Sequence, residues 1–295
     1  LKDSITAMLK PLGVSATEKN FNNEIGVPLT IANAHLDTPY WVVEMGIRKP
    51  GDMARLQAIV QPDIAVLSGI GHSHMAFFDS PTHLLTEKLG LLCPTTKDLF
   101  YPSTIPDPTP HLPSPPHCHP VPIARLIDTN TAICHALGSH LGIPTEIINA
   151  QLQTVQPSPH RLSAHTLPNG ATLIDDTYNA NPTAVRFAVA HTLENYTGPI
   201  TVILGTMGEL GTDEISLHAD TVSWVLAQER VTALVTYGAL WPAPVDANHT
   251  HVNHTDTLTN TLSNMVPNQQ PPATFLIKGS RMAQLDKVVQ ALLPQ

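Results

Sequence analysis

Charge is what this sequence has least of. Charged side chains make up 13% of its 295 residues, against roughly 25% in an average domain. What charge there is runs negative, with a formal net of -9. No Lys/Arg cluster offers the phosphate-neutralising stripe that nucleic-acid binding needs, so such a partner is excluded. Small anionic substrates therefore need a local cationic site or a metal. Cysteine is also scarce: Cys93, Cys118 and Cys134 are scattered and odd in number. That excludes a disulfide scaffold and favours a reducing compartment, so a cytoplasmic location is expected. No run of about 18 apolar residues suggests a membrane span. A basic start and an apolar signal core are missing as well, and because the first residue is not Met a truncated or processed N-terminus is expected.

Hydrophobic residues, at 42% of the chain, are plentiful enough for a buried core, and the length favours two domains. Proline (28) and histidine (16) are abundant. Ile5, Met8 and Leu9 have helical spacing that Pro11-Leu12-Gly13 ends. Trp41 to Met45 reads as a buried strand, Gly51 to Val60 as a helix and Asp63 to Leu67 as a second strand, the βαβ signal of a parallel sheet. From Cys93 to Arg125 the pattern gives way to Pro, Thr, Ser and His, which predicts an irregular surface excursion with loss of edge strands. Helices are predicted over 129–141 and 145–154, then a linker near Gln156-Pro157-Ser158-Pro159. Beyond it, apolar strands at 172–175, 200–204, 233–237 and 274–277 are each followed by a helix, near 182–195, 215–229, 255–265 and 281–293. This is a second, Rossmann-like α/β sheet, with ligands expected off the carboxyl ends of its strands.

The densest motif is Asp175-Asp176-Thr177-Tyr178-Asn179-Ala180-Asn181-Pro182, at a strand-to-helix turn. Two carboxylates and two amides there can hold hydroxyls, amines or a metal-bound phosphate; the competing reading is an Asx-rich turn with Pro opening a helix. His117-Cys118-His119 and His249-Thr250-His251 with His254 contain metal donors, but neither has a second, properly spaced pair, and composition bias accounts for them better.

The segment Lys19-Asn20-Phe21-Asn22-Asn23-Glu24-Ile25-Gly26-Val27-Pro28 resembles the substrate loop of the D-alanyl-D-alanine-adding branch of the Mur ligases. Val43-Glu44-Met45-Gly46, Gly71-His72-Ser73-His74, Asp175 to Pro182, Gly205 to Gly211 with His218, and Lys278-Gly279-Ser280-Arg281 follow in the family's order. The resemblance implies an incomplete Mur-ligase central domain over 1–158, a mostly parallel sheet with flanking helices interrupted by the Pro-rich excursion at 93–125, and a Rossmann-like C-terminal α/β domain over 159–295. It implies an ATP-dependent ligase that activates the terminal carboxylate of UDP-N-acetylmuramoyl-tripeptide as an acyl phosphate, which the amine of D-alanyl-D-alanine attacks to form an amide. ATP and Mg²⁺ are the implied cofactors, and a monomer is expected.

By the same resemblance Glu44, His74 and a carbamylated Lys88 serve the metal, with His74 and Lys88 also counted as catalytic. Asn130, Arg161 and Asp176 would contact the nucleotide. Asn22, Asn23, Glu24, Tyr178, Asn179 and Asn181 would contact substrate. Two departures stand out: the chain holds no Gly-Lys-Thr-Thr phosphate loop, and Leu126-Ile127 replaces the His-Asn expected before Asn130. Leu1 to Ile5 resembles the helix that follows the phosphate loop, so these residues alone are expected to be inactive. The alternative is a non-catalytic, Mur-ligase-like binding module.

Overall fold

A computed structural model describes residues 1–70, 75–112, 114–125, 128–156 and 158–293. The chain separates into two compact units: Leu1–Ile70 with Phe77–Gln156, and residues 75, 76 and 158–293. Among the described residues no helix is long and apolar enough to cross a membrane.

In the first unit, helix α1 (Lys2–Leu9) buries Ile5, Met8 and Leu9, the three positions that share one face at helical spacing. Strand β1 (Val14–Ala16), helix α2 (Gly26–Asn33) and strand β2 (Tyr40–Val42) follow, and β1 pairs with β2 in parallel. Helix α3 (Asp52–Val60) leads to strand β3 (Ile64–Val66), then to helix α4 (Pro81–Leu89), whose start is capped by Ser80 accepting from the His83 N–H. Strands β4 (Asp98–Pro102) and β5 (His117–Val121) join β3 in a three-stranded parallel sheet, order β3-β4-β5. Helices α5 (Thr129–His140) and α6 (Thr145–Leu152) complete the unit. Met8, Phe100, Val121, Ile133, Leu137 and Ile148 share its core. At Gly138 of α5 a Cβ would stand 2.6 Å from Ile148 Cδ1 and 2.8 Å from Met8 Sδ, so glycine lets α5 approach α1 and α6 closely.

The excursion expected at 93–125 is corrected here: two of the sheet's three strands lie inside it. All five residues of β4 are buried, because Leu99, Phe100 and Tyr101 carry enough apolar surface to fill the sheet centre. Pro102 ends β4, and Pro120 falls on β5, which pairs only with β4 in the described sheet. An edge position tolerates proline's missing N–H.

The second unit is a six-stranded sheet of order β10-β9-β8-β11-β7-β6. It comprises β6 (Ser163–Thr166), β7 (Thr172–Asp176), helix α7 (Pro182–Asn195), β8 (Ile200–Gly205), helix α8 (Glu214–Leu226), β9 (Val231–Tyr237), β10 (His249–Val252), helix α9 (Thr255–Met265), β11 (Thr274–Lys278) and helix α10 (Leu285–Leu292). Only β6, pairing with β7, is antiparallel. One core lies beneath α9 and α10 (Leu258, Leu262, Val288, Leu292), the other beneath α7 and α8 (Val185, Val189, Val222, Val225). Helices on both faces explain why the central strands read as unbroken apolar runs. The edge strands β6 and β10 are polar and were not expected from the sequence.

Candidate functional site

Polar groups gather at the carboxyl ends of strands in each unit. In the first, the chain leaves β2 and reaches Glu44, whose N–H donates to Thr17 Oγ1 at 3.0 Å. Thr17 is itself fixed by its N–H to the Val42 carbonyl (2.9 Å) and by Lys2 Nζ donating to its own carbonyl (2.9 Å). Asn22 Nδ2 donates to Glu44 Oε1 at 2.6 Å, and the Gly46 N–H donates back to the Asn22 carbonyl at 2.7 Å. A Cβ at Gly46 would stand 2.8 Å from the Asn22 side-chain amide, so this approach depends on glycine. Asn23 Oδ1 accepts from the N–H groups of Ile25 (3.1 Å) and Gly26 (2.9 Å), which fastens the start of α2. Glu24 is exposed.

Lys88, near the end of α4, donates to the Gly69 carbonyl at 3.0 Å, just past the carboxyl end of β3. Burial lowers the pKa of its amine. His74 lies outside the described residues. Asn130, in the first turn of α5, is exposed. The structure thus brings Asn22 to Glu44 and sets Lys88 beside the loop that follows β3.

In the second unit Asp176 and Lys278 are register partners on β7 and β11, at the carboxyl ends of both strands. Lys278 Nζ lies 2.6 Å from Asp176 Oδ2 and 2.8 Å from the Asn179 carbonyl, to which it also donates. Both side chains are buried. Burial raises the Asp176 carboxyl and lowers the Lys278 ammonium, and each opposes the other's shift through its charge. Arg161 stacks its guanidinium 3.9 Å above the Tyr178 ring centroid. Its neighbours His160 and Leu162 both have left-handed backbone, with φ of 62° and 53°, at a cost of about 1–2 kcal/mol each. The segment is held by His160 Nδ1 at 2.7 Å from Asp175 Oδ2 and by the Tyr178 N–H donating to the His160 carbonyl at 3.0 Å. Asp175 also accepts from the Thr177 hydroxyl (2.7 Å) and N–H (3.1 Å).

Asn181 Oδ1 accepts from the Ala184 N–H at 2.8 Å and caps α7, while Pro182 occupies the first helical position. Asn179 Oδ1 accepts from the Ala180 N–H at 2.9 Å, and Asn179 is exposed. His218 is buried, with Nε2 accepting from the Met207 N–H (3.0 Å) and Nδ1 facing the Glu214 carbonyl (2.6 Å), so it braces the loop after β8. The role of Lys278 was not expected from the Lys278-Gly279-Ser280-Arg281 motif. A lone Lys closing an apolar strand was the available signal. Two residues on, the buried Ser280 Oγ has no hydrogen-bond partner among the described residues.

Both units are α/β, and each sets carboxylates and cations at the carboxyl ends of its strands, where open α/β sheets take their ligands. The family described as "Mur ligase middle domain" matches residues 1–101, and "Mur ligase, glutamate ligase domain" matches residues 160–281. The two matches cover most of the sequence, and the chain belongs to the Mur ligase family. It is 26% identical over 338 aligned positions to the UDP-N-acetylmuramoyl-tripeptide--D-alanyl-D-alanine ligase of Buchnera aphidicola, an alignment that takes in 100% of this chain and 73% of that relative. Its fold is that of MurF from Acinetobacter baumannii, with a TM-score of 0.88, 23% identity and coverage of 99% of this chain and 73% of that one. The MurF ligase of Thermotoga maritima, solved in complex with ADP, gives a TM-score of 0.86 at 20% identity, covering 99% and 76%.

Proposed function

We propose that this chain supplies the central and C-terminal domains of an ATP-dependent ligase that joins D-alanyl-D-alanine to UDP-N-acetylmuramoyl-tripeptide in the cytoplasm. The observation that carries the reading is the 2.6 Å contact between Asn22, in the substrate-loop motif, and Glu44, at the strand end. Asn22 is a neutral amide, so it orients the carboxylate without cancelling its charge. One oxygen is aimed by the amide and the carboxylate remains a hard anionic donor, a chemistry that fits Mg²⁺. When bound, that ion would neutralise phosphate oxygens and stabilise charge developing during acyl transfer.

Lys88 fits the second role. Burial raises the share of its amine that is unprotonated, and a free amine adds to CO₂ to give a carbamate while one proton is released. The product is a carboxylate where the sequence has a lysine. The Gly69 carbonyl fixes the side chain just past the carboxyl end of β3. In the second unit Arg161, held over the Tyr178 ring, presents N–H donors suited to phosphate oxygens. Lys278 holds Asp176 in place beside the Asn179 carbonyl, and Tyr178 and Asn179 are assigned to the dipeptide.

The experiment joins this chain to a segment carrying the phosphate loop and follows amide formation from the two substrates with ATP and Mg²⁺. Product is expected, and none from residues 1–295 alone. Nucleotide binding without product would favour the non-catalytic module. Lys88→Ala is expected to abolish turnover and to remove a ¹³C carbamate resonance seen when the wild type is given labelled bicarbonate. Near-normal turnover of that variant would rule the carbamate out.

A further inference from the structure

The histidines of β5 lacked a second pair of donors in the sequence, and the fold provides one. Asp98 opens β4, His119 lies on β5 beside it, and His140 is the last residue of α5. His119 Nε2 stands 2.7 Å from Asp98 Oδ1, and His140 Nε2 stands 3.4 Å from Asp98 Oδ2. The three donor atoms lie within 4.8 Å of one another. We propose that Asp98, His119 and His140 form a zinc site that clasps the end of α5 to the three-stranded sheet.

The donor set is the first argument. Two imidazoles and a carboxylate suit a borderline divalent ion such as Zn²⁺ and are a poor match for Mg²⁺. Geometry is the second. Tetrahedral zinc with bonds near 2.0–2.1 Å sets its donors about 3.3 Å apart. His140 Nε2 already meets that distance to Asp98 Oδ2, and His119 Nε2, hydrogen-bonded to the other oxygen at 2.7 Å, reaches it by a small turn of the carboxylate when its proton gives way to the metal. The fourth position is left to water; His117 Nδ1, 3.8 Å from Asp98 Oδ1, falls outside the trio of donors. Cys118 is excluded, since successive side chains of a strand point to opposite faces.

The surroundings are the third argument. Phe100 stacks on His119, with ring centroids 4.4 Å apart and planes 11° apart, and meets His140 edge-on at 5.4 Å. This apolar wall fixes both ring orientations, as the shell around a metal does. Position separates this site from the one described above. Asp98 and His117 are the first residues of their strands, at the end of the sheet opposite Gly69 and Lys88. The role is therefore structural: β4, β5 and α5 are separated widely in sequence, and a shared ion locks them together.

The test is zinc titration of the chelator-stripped 295-residue chain by calorimetry, with bound metal counted by mass spectrometry. One tight zinc per chain is expected, together with a Tm that rises with zinc concentration. His140→Ala and His119→Gln should each weaken binding at least tenfold. The His249→Asn/His251→Asn pair, at the other histidine cluster, should leave it unchanged. Co²⁺ substituted into the wild type should give the intense visible bands of tetrahedral coordination, a readout independent of any variant's folding. Binding that survives both His140→Ala and His119→Gln, binding lost on changing His249 and His251, or a cobalt spectrum no stronger than that of the aqueous ion would each overturn the proposal.

Discussion

Glu44 and Asp176 are both carboxylates at strand ends, yet they meet opposite partners. Glu44 sits on a loop two residues past β2, partly exposed, against the neutral amide of Asn22. Asp176 is the last residue of β7, buried, against the ammonium of Lys278. A carboxylate oriented by an amide keeps its charge and is ready for a cation. One held by a buried lysine has already spent its charge, and it fixes two strand ends with respect to each other. The first arrangement suits metal binding and the second suits preorganisation of a rigid surface for nucleotide or peptide.

The comparison is broken most sharply at Lys278. Lys278→Met removes the cation and leaves Asp176 buried without its ammonium partner, at an expected cost of about 3–5 kcal/mol. Chemical denaturation of the second unit should show it, whereas the Asp176→Asn/Lys278→Met pair should recover part of the loss. Equal destabilisation by Glu44→Gln would erase the distinction. A smaller effect is expected in the first unit, where Gly138→Ala drives a methyl against Ile148 and Met8. Overpacking of that kind costs about 1–3 kcal/mol, read as a lowered Tm with little change in the second unit.

The smallest effect concerns pH. Burial lowers the pKa of His218 below that of an ordinary imidazole. Above the ordinary value both folded and unfolded states hold it neutral, and its contribution to stability is complete. As pH falls below that value the unfolded state takes up the proton first, so stability is lost toward the folded-state pKa. Denaturation midpoints between pH 7 and 5 should therefore fall, and fall less in His218→Gln. The slope does not vanish in that variant, because burial lowers His191 and His249 as well.

Local signals made much of the second unit legible. The apolar runs of β7, β8, β9 and β11 are buried on both faces, and Asn181-Pro182 marks the start of α7 to the residue. Strand β10 was hidden because His249 and His251 are held by the Thr236 hydroxyl and not by apolar burial. Strands β4 and β5 were hidden by the prolines around them, which speak to local backbone and say nothing of the sheet that accepts Leu99 to Tyr101. Both polar clusters missing from the sequence reading depend on distance along the chain. Lys278 stands 102 residues from Asp176, and His119 and His140 meet Asp98 only after three separate elements have packed. Asn22 and Glu44 were singled out by motif order, and their contact is visible only in the fold.

The measurement closest to the central claim is the Mg²⁺ dependence of amide formation by the protein joined to its phosphate loop, for the wild type and Glu44→Gln. The account predicts that Glu44→Gln loses at least about a hundredfold in turnover, or needs far more Mg²⁺ to reach it, while its stability stays close to that of the wild type. An unchanged Mg²⁺ dependence with unchanged turnover would contradict it.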